Sequence, residues 1–195
     1  MRTDGVAMGA DGETTDSELM ARVREGELEK LAELFERHQR RLYGFFLRLA
    51  GERAAAEDLV QEVFVRMLRY RHTFRSEADF TPWMFGVARN AAVDHFRSRP
   101  KELQEAEGAP EPAAALLHPV ERLEQRERTA QLQAALARLS AEKRELLLLA
   151  RFGEMRYESI GELLGISVGA VKVRVHRAMK ELREAYRMVS EGGVA

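Results

Sequence analysis

The chain has 195 residues, with 31 Lys and Arg against 32 Asp and Glu and a formal net charge of -1. Near neutrality excludes a uniformly basic nucleic-acid coat, so any surface for nucleic acid must come from local segregation of charge. There is no cysteine, which excludes disulfides, Cys-ligated zinc, iron–sulfur clusters and thiol catalysis together. No apolar run approaches the ~20 residues of a membrane span, and the N-terminus shows no hydrophobic signal core.

In chain order, residues 1–15 are rich in Gly, Asp and Thr without apolar periodicity and are expected to form a flexible tail. Asp16 or Ser17 can N-cap a short helix carrying Leu19, Met20 and Val23, which Gly26 breaks. Leu28, Leu31, Leu34, Phe35, Leu42, Phe45, Phe46 and Leu49 then recur at steps of three and four, the period of an amphipathic helix, with Gly51 as its stop. Ala54–Tyr70 repeats the pattern through Leu59, Val63, Phe64, Met67 and Leu68. Arg71–Pro82 is less periodic and reads as a loop; Pro82 suits the first turn of a helix running from Trp83 to about Arg97.

Composition then changes. Ser98–Pro119 holds four of the five prolines, Pro100, Pro110, Pro112 and Pro119, and few large apolar residues. Prolines block helix propagation, so this stretch reads as a linker. Helical periodicity resumes over Leu123–Leu139, Ala141–Phe152, Tyr157–Leu164 and Val168–Val189, and Ser190–Ala195 is expected to fray. No strand-like alternation of useful length occurs. The prediction is an all-α chain: a tail at 1–15, a helical module at 16–98, a flexible linker at 99–120 and a second helical module at 121–190.

The sharpest local signal lies in the second module, from Tyr157 to Ala178. A short helix presents Ile160, Leu163 and Leu164 on one face. Gly165 follows where a left-handed residue is needed, Ile166 can plug the turn, and Ser167 can cap the next helix. That helix would bury Val171, Val175 and either Ala178 or Met179, leaving Lys172, Arg174, His176, Arg177 and Lys180 outward. This is a helix-turn-helix pattern, whose second helix enters the major groove of DNA. Charge follows it: residues 166–187 carry six basic and two acidic side chains, net +4, whereas residues 101–128 carry four basic and seven acidic, net -3. The alternative is an amphipathic core helix with a solvated basic face.

In the first module, Asp58, Gln61, Glu62 and Arg66 share one helix face beside a stripe of Leu59, Val63 and Met67. Spacing alone describes a solvated face as readily as a docking face. Phe74, Phe80, Trp83 and Phe85 cluster with Arg71, Arg75, Arg89 and Arg97 interleaved. Aromatic platforms with cationic neighbours are what unstacked bases of a single strand require. Plain core packing is the alternative: it is expected for Phe85 and stands level with a base contact for Trp83, while Phe74 and Arg75 are the better base-pocket candidates.

The run from Ala56 to Leu68 (AEDLVQEVFVRML) and that from Phe80 to Arg97 (FTPWMFGVARNAAVDHFR) resemble region 2 of the sigma-70 family. The stretch from Ala135 through the helix-turn-helix to Leu182 resembles region 4. Two such regions joined by a linker are similar to the extracytoplasmic-function (ECF) group of RNA polymerase sigma factors. The resemblance implies that Asp58, Gln61 and Glu62 bind core RNA polymerase at the clamp helices of its β′ subunit. It implies that Phe74, Arg75, Trp83, Asn90, Asp94 and Arg97 face the −10 element, and that Ser167, Lys172, Val173, Arg174, His176 and Arg177 face the −35 element. It further implies a seat for the second module on the β flap, an anti-sigma partner and a cytoplasmic setting. Departures are Ala170, where the family often has Thr; Ser159, where an acid is common; and Gly161, where a small Ala is usual and Gly lowers helix propensity by ~1 kcal/mol.

No Gly-rich phosphate loop, nucleophile elbow or His-Glu-x-x-His pattern occurs. His38, His72, His95, His118 and His176 are scattered. The expectation is no catalysis, no cofactor, no metal, no small-molecule substrate and no membrane insertion. Alternatives to a sigma factor are a stand-alone helix-turn-helix regulator and a sigma-like decoy that binds an anti-sigma factor.

Overall fold

The computed structural model describes residues 14–75, 77–98 and 119–192. The expected tail up to residue 13 and the expected linker up to residue 118 lie outside the described residues. The described residues fold into α1 (Asp16–Glu25), α2 (Lys30–Ala50), α3 (Arg53–Arg69), a 3-10 turn at Arg71–Thr73, α4 (Phe80–Ser98), α5 (Pro119–Ala137), α6 (Ala141–Arg151), α7 (Tyr157–Leu164) and α8 (Val168–Gly192). Among them there is no strand.

Several boundaries differ from the sequence expectation, each for a visible reason. Thr15, not Asp16 or Ser17, caps α1: its hydroxyl accepts from the Glu18 N–H at 3.2 Å, and the Glu18 carboxylate accepts from the Thr15 N–H at 2.7 Å, a reciprocal capping box. Asp16 is thereby free to reach α2, where it accepts from Arg37 at 2.9 Å and lies 2.7 Å from His38. The Ser17 hydroxyl accepts from the Phe80 N–H at 3.2 Å, so it supports the start of α4, which begins two residues before Pro82. Leu28 is exposed in the turn before α2 rather than on its buried stripe. Pro119, assigned to the linker, opens α5. At the other end α8 continues to Gly192, past the expected fraying point.

The first module packs α1, α3 and α4 around α2. Phe45, Phe46, Leu42 and Leu34 of α2 meet Leu59, Val63 and Met67 of α3 and Met84, Phe85 and Ala88 of α4 in one buried cluster. The rings of Phe45 and Phe85 meet edge to face at 5.2 Å. Each such side chain contributes about 1.5–3 kcal/mol on burial, which is why the period-3.6 stripe decides the fold here. In the second module Leu146–Leu149 of α6, Ile160 of α7 and Val171, Val175 and Ala178 of α8 continue the same buried cluster.

The two modules are not apart. α2 packs on α6, and α4 packs on α7. Most directional contacts of this seam are side-chain donors on carbonyls at helix ends. Arg41 of α2 donates from Nε to the Phe152 carbonyl at 2.8 Å and from Nη2 to the Gly153 carbonyl at 2.5 Å, closing the C-terminus of α6. In return Arg144 of α6 donates to the Leu49 carbonyl at 3.1 Å, and Gln133 of α5 donates to the Leu47 and Arg48 carbonyls at 3.3 Å each, closing the C-terminus of α2. The Arg48 guanidinium lies 4.1 Å from the centre of the Phe152 ring. The negative ends of helix dipoles thus meet cations across the seam. Burial pushes Arg41, Arg48 and Arg144 all below their ordinary values.

Candidate nucleic-acid interface

On α8, Ser167 caps the helix as the sequence indicates: its hydroxyl accepts from the Ala170 N–H at 3.2 Å. Gly165 ends α7 with φ 66°, the left-handed value that favours glycine. Gly161 has a steric role besides its low helix propensity. A Cβ there would lie 2.7 Å from the Ile166 carbonyl oxygen, so the absent side chain lets the turn close against α7. The glycine that lowers helix propensity is what the turn geometry needs. Val171, Val175 and Ala178 are buried, and Met179 only partly so. Lys172, Val173, Arg174, His176 and Arg177 are all exposed, with Val173 at 50%. An exposed apolar side chain among cations on a recognition helix suits contact with a thymine methyl.

On α4, Trp83, Asn90, Asp94 and Arg97 line one groove of about 710 Å³ together with Arg66 and Tyr70. These four, expected to share a surface, do share one. Phe74 is different: it is 1% exposed, with its ring 5.3 Å from Trp83 and 6.4 Å from Phe80. Its apolar ring has more to gain in that cluster than at the loop surface, so in this state it backs Trp83 and offers no face to a base. Trp83 is half-buried and donates its indole N–H to the Thr73 hydroxyl at 3.2 Å. Arg75 is exposed. Of the other interleaved cations, Arg71 donates to the Leu68 carbonyl at 2.9 Å and Arg89 faces Glu145 of α6 at 3.0 Å. The Arg89 Nε–H is not aimed at that oxygen, so the contact is a charge pair without a well-made hydrogen bond.

On α3, Asp58 and Gln61 are exposed and Glu62 is half-buried. Glu62 is not independent of the α4 groove. Arg66, 18% exposed, donates to Glu62 at 2.6 Å and to Asp94 at 2.6 Å, linking a residue expected at the polymerase to one expected at DNA. The i, i+4 spacing of Glu62 and Arg66 is visible in sequence; the Asp94 partner, 28 residues on, is not. Leu163 of α7 also lines the α4 groove, facing Gly86, and no sequence signal points to it.

Residues 34–102 match the Sigma-70 region 2 family, and residues 129–182 match Sigma-70, region 4. The sigma factor CarQ of Myxococcus xanthus is 33% identical over 174 residues, covering 85% of this chain and 94% of that protein. The ECF sigma factor SigF of Caulobacter vibrioides is 33% identical over 187 residues, covering 91% and 97%. The chain belongs to the ECF group of RNA polymerase sigma factors. A sigma factor acts with RNA polymerase to start transcription at promoters. Two solved structures are similar across both modules of this sigma factor. CnrH in complex with the cytosolic domain of CnrY has a TM-score of 0.65 at 25% identity, covering 87% of this chain and 95% of that one. RpoE in complex with the anti-sigma factor NepR from Bartonella quintana also has a TM-score of 0.65 at 25% identity, covering 80% and 96%. Among the described residues of this sigma factor, no helix is long and apolar enough to cross a membrane.

Proposed function

We propose that residues 16–98 of this sigma factor dock on core RNA polymerase through Asp58, Gln61 and Glu62 of α3 and engage the −10 element through the α4 groove. Residues 99–120 act as the linker, and residues 121–190 read the −35 element through Ser167, Lys172, Val173, Arg174, His176 and Arg177. The single observation that carries this reading is the exposure of all these α3 and α8 side chains except the half-buried Glu62, on two helices whose opposite faces are buried in the hydrophobic core. The chain performs no catalysis of its own and works in the cytoplasm, by recruiting the polymerase. A partner of the anti-sigma class binds the closed form; the likeness of both modules together to partner-bound relatives supports this.

The closed form cannot be the promoter-bound form. Elements centred at −10 and −35 are about 25 base pairs apart, about 85 Å of duplex at ~3.4 Å per step. Modules in contact through α4 and α7 cannot reach both. The polymerase must therefore hold the modules apart, which makes its two docking sites part of promoter recognition. In vitro transcription with core polymerase tests the reading. The wild-type chain is expected to yield initiation at a defined start, and the Asp58→Arg, Gln61→Arg variant to lose co-purification with core polymerase at unchanged helicity. Intact complex formation by that variant would remove α3 from the docking assignment.

A further inference from the structure

α8 has a basic flank that the −35 assignment uses only at Lys172 and His176. Where its flank turns toward the end of α6 and the start of α7 there is a groove of about 530 Å³, floored by Val175 and Met179. Its rim is Arg151, Lys172, His176, Lys180 and Arg183, with Tyr157 at one end, and no acidic side chain lines it. The acid of α8 that comes before Arg183, Glu181, is paired with Lys143 at 2.5 Å. Among the described residues, none of Arg151, Lys172, Lys180 and Arg183 has an ion-pair partner. Several arginines of the first module are paired instead: Arg22 with Glu27, Arg37 with Asp16, Arg66 with Glu62 and Asp94. In a protein of net charge -1, four neighbouring cations left uncompensated repel one another and call for an anion with several charges.

The stripe is placed for a nucleic-acid backbone. Lys172, His176, Lys180 and Arg183 follow at steps of four, four and three along one flank, a span of ~16 Å at 1.5 Å per residue. In helix-turn-helix proteins the N-terminal residues of the recognition helix meet base edges. Lys180 and Arg183 lie about two and three turns beyond Lys172, where a recognition helix set in the major groove would rise toward the phosphates. Arg151, at the end of α6, lines the same groove as Lys180 and Arg183. We propose that Arg151, Lys180 and Arg183 form a phosphate clamp on the duplex beside the −35 element, fixing register without reading sequence. This rests on the reading of α8 as the −35 helix.

The test uses the full chain assembled with core polymerase. Its DNA partners are a promoter it initiates from and the same fragment with the −35 element scrambled. Binding is measured across a salt series for the wild type, for Arg151→Gln, Lys180→Gln, Arg183→Gln combined, and for Arg177→Ala. The combined variant is expected to weaken binding to both fragments by the same factor. Its slope of log K against log salt should shrink by about 2 to 3, at ~0.9 for each phosphate that is no longer neutralised. Arg177→Ala should instead narrow the preference for the intact fragment. An unchanged slope in the combined variant overturns the clamp, as does a weakening confined to the intact fragment. Weakened assembly with core polymerase in the absence of DNA overturns it too, by showing a protein-facing surface. If the wild type does not distinguish the two fragments, the −35 reading itself fails, whatever the slopes show.

Discussion

On α4, several polar side chains that could meet DNA are already engaged within the molecule, Asp94 with Arg66, Arg89 with Glu145 and the Trp83 indole with Thr73, while Asn90 and Arg97 stay exposed. On α8, Lys172, Arg174, Arg177, Lys180 and Arg183 have no ion-pair partner among the described residues. The α4 groove is walled by Leu163 from the other module, while the outer face of α8 is bare. The difference separates two tasks. Contact with duplex phosphate needs only exposed cations, so α8 can be kept ready. Stacking a base extruded from a melted strand needs a pocket whose groups exchange internal partners for DNA, with a few kcal/mol of unstacking to offset. Of these contacts the Arg89–Glu145 pair and the Leu163 wall join the two modules, so parting the modules would free that part of the α4 groove.

The largest break of this contrast is expected from Arg41→Ala. It removes two charge-assisted bonds to the Phe152 and Gly153 carbonyls, together with the approach to Glu154 at 3.6 Å. Glu154 holds φ 40°, a strained value for a residue with a Cβ, so the loop loses the cation beside its least favourable residue. At about 1.5–3 kcal/mol per bond to a charged donor, with partial rescue by water, the seam should weaken by about 2–4 kcal/mol. Hydrogen exchange is expected to accelerate along α4 and α7 and to leave the exposed face of α8 unchanged. Equal acceleration in α8 would mean that the seam does not selectively cover α4.

Gly161→Ala attacks the other side of the contrast. Helix propensity gains about 1 kcal/mol, but the new Cβ meets the Ile166 carbonyl at 2.7 Å, and overpacking against backbone costs about 1–3 kcal/mol. A net loss of up to about 2 kcal/mol in denaturant unfolding is expected, with weaker −35 binding because the α7–α8 turn sets the angle of α8. A variant as stable as the wild type would show that the turn can relax.

Arg66→Gln should have a smaller effect on stability, about 1 kcal/mol or less, since both partner carboxylates are half exposed. Its effect on promoter opening should be larger, because Asp94 then faces DNA as an uncompensated anion. Asp94→Asn added to Arg66→Gln is expected to restore opening. Additive defects in that double-mutant cycle would show that Arg66 does not act through Asp94.

How far the sequence reaches depends on the distance over which each feature is decided. The core stripes, the Gly165–Ser167 turn and the outward face of α8 are local, and periodicity or a single cap is enough to read them. Thr15 escapes a sequence reading because two neighbouring residues, Asp16 and Ser17, are equally good caps. Only tertiary contacts to Arg37 and Phe80 remove them from that role. Phe74 misleads for a related reason: a lone aromatic in a loop carries no period to show which way it faces. The seam is not legible at all, since Arg41 meets carbonyls 111 and 112 residues away, and any residue supplies a carbonyl.

The smallest expected effect sharpens the contrast by titration. Glu145, on the α6 side of the seam, has a side chain 18% exposed, and burial pushes it above its ordinary value of 4.5 while Arg89 of α4 only partly offsets this. A carboxyl with a raised folded-state value favours its neutral form in the closed molecule. Its contribution to stability is therefore full below about pH 4.5 and is lost as pH rises through the folded value. Glu145→Gln, which stays neutral at every pH, keeps that contribution. The variant leaves Arg89 without a carboxylate, but a third of that side chain reaches solvent and water can replace the poorly aimed contact. At pH 7 the variant should be as stable as the wild type or more so. The gap should close as pH falls toward 4. Thermal unfolding of both proteins across that range checks the sign. A variant less stable at pH 7, with the deficit vanishing on acidification, would make the ionised pair a net clasp on α4 rather than a weak point where the modules part.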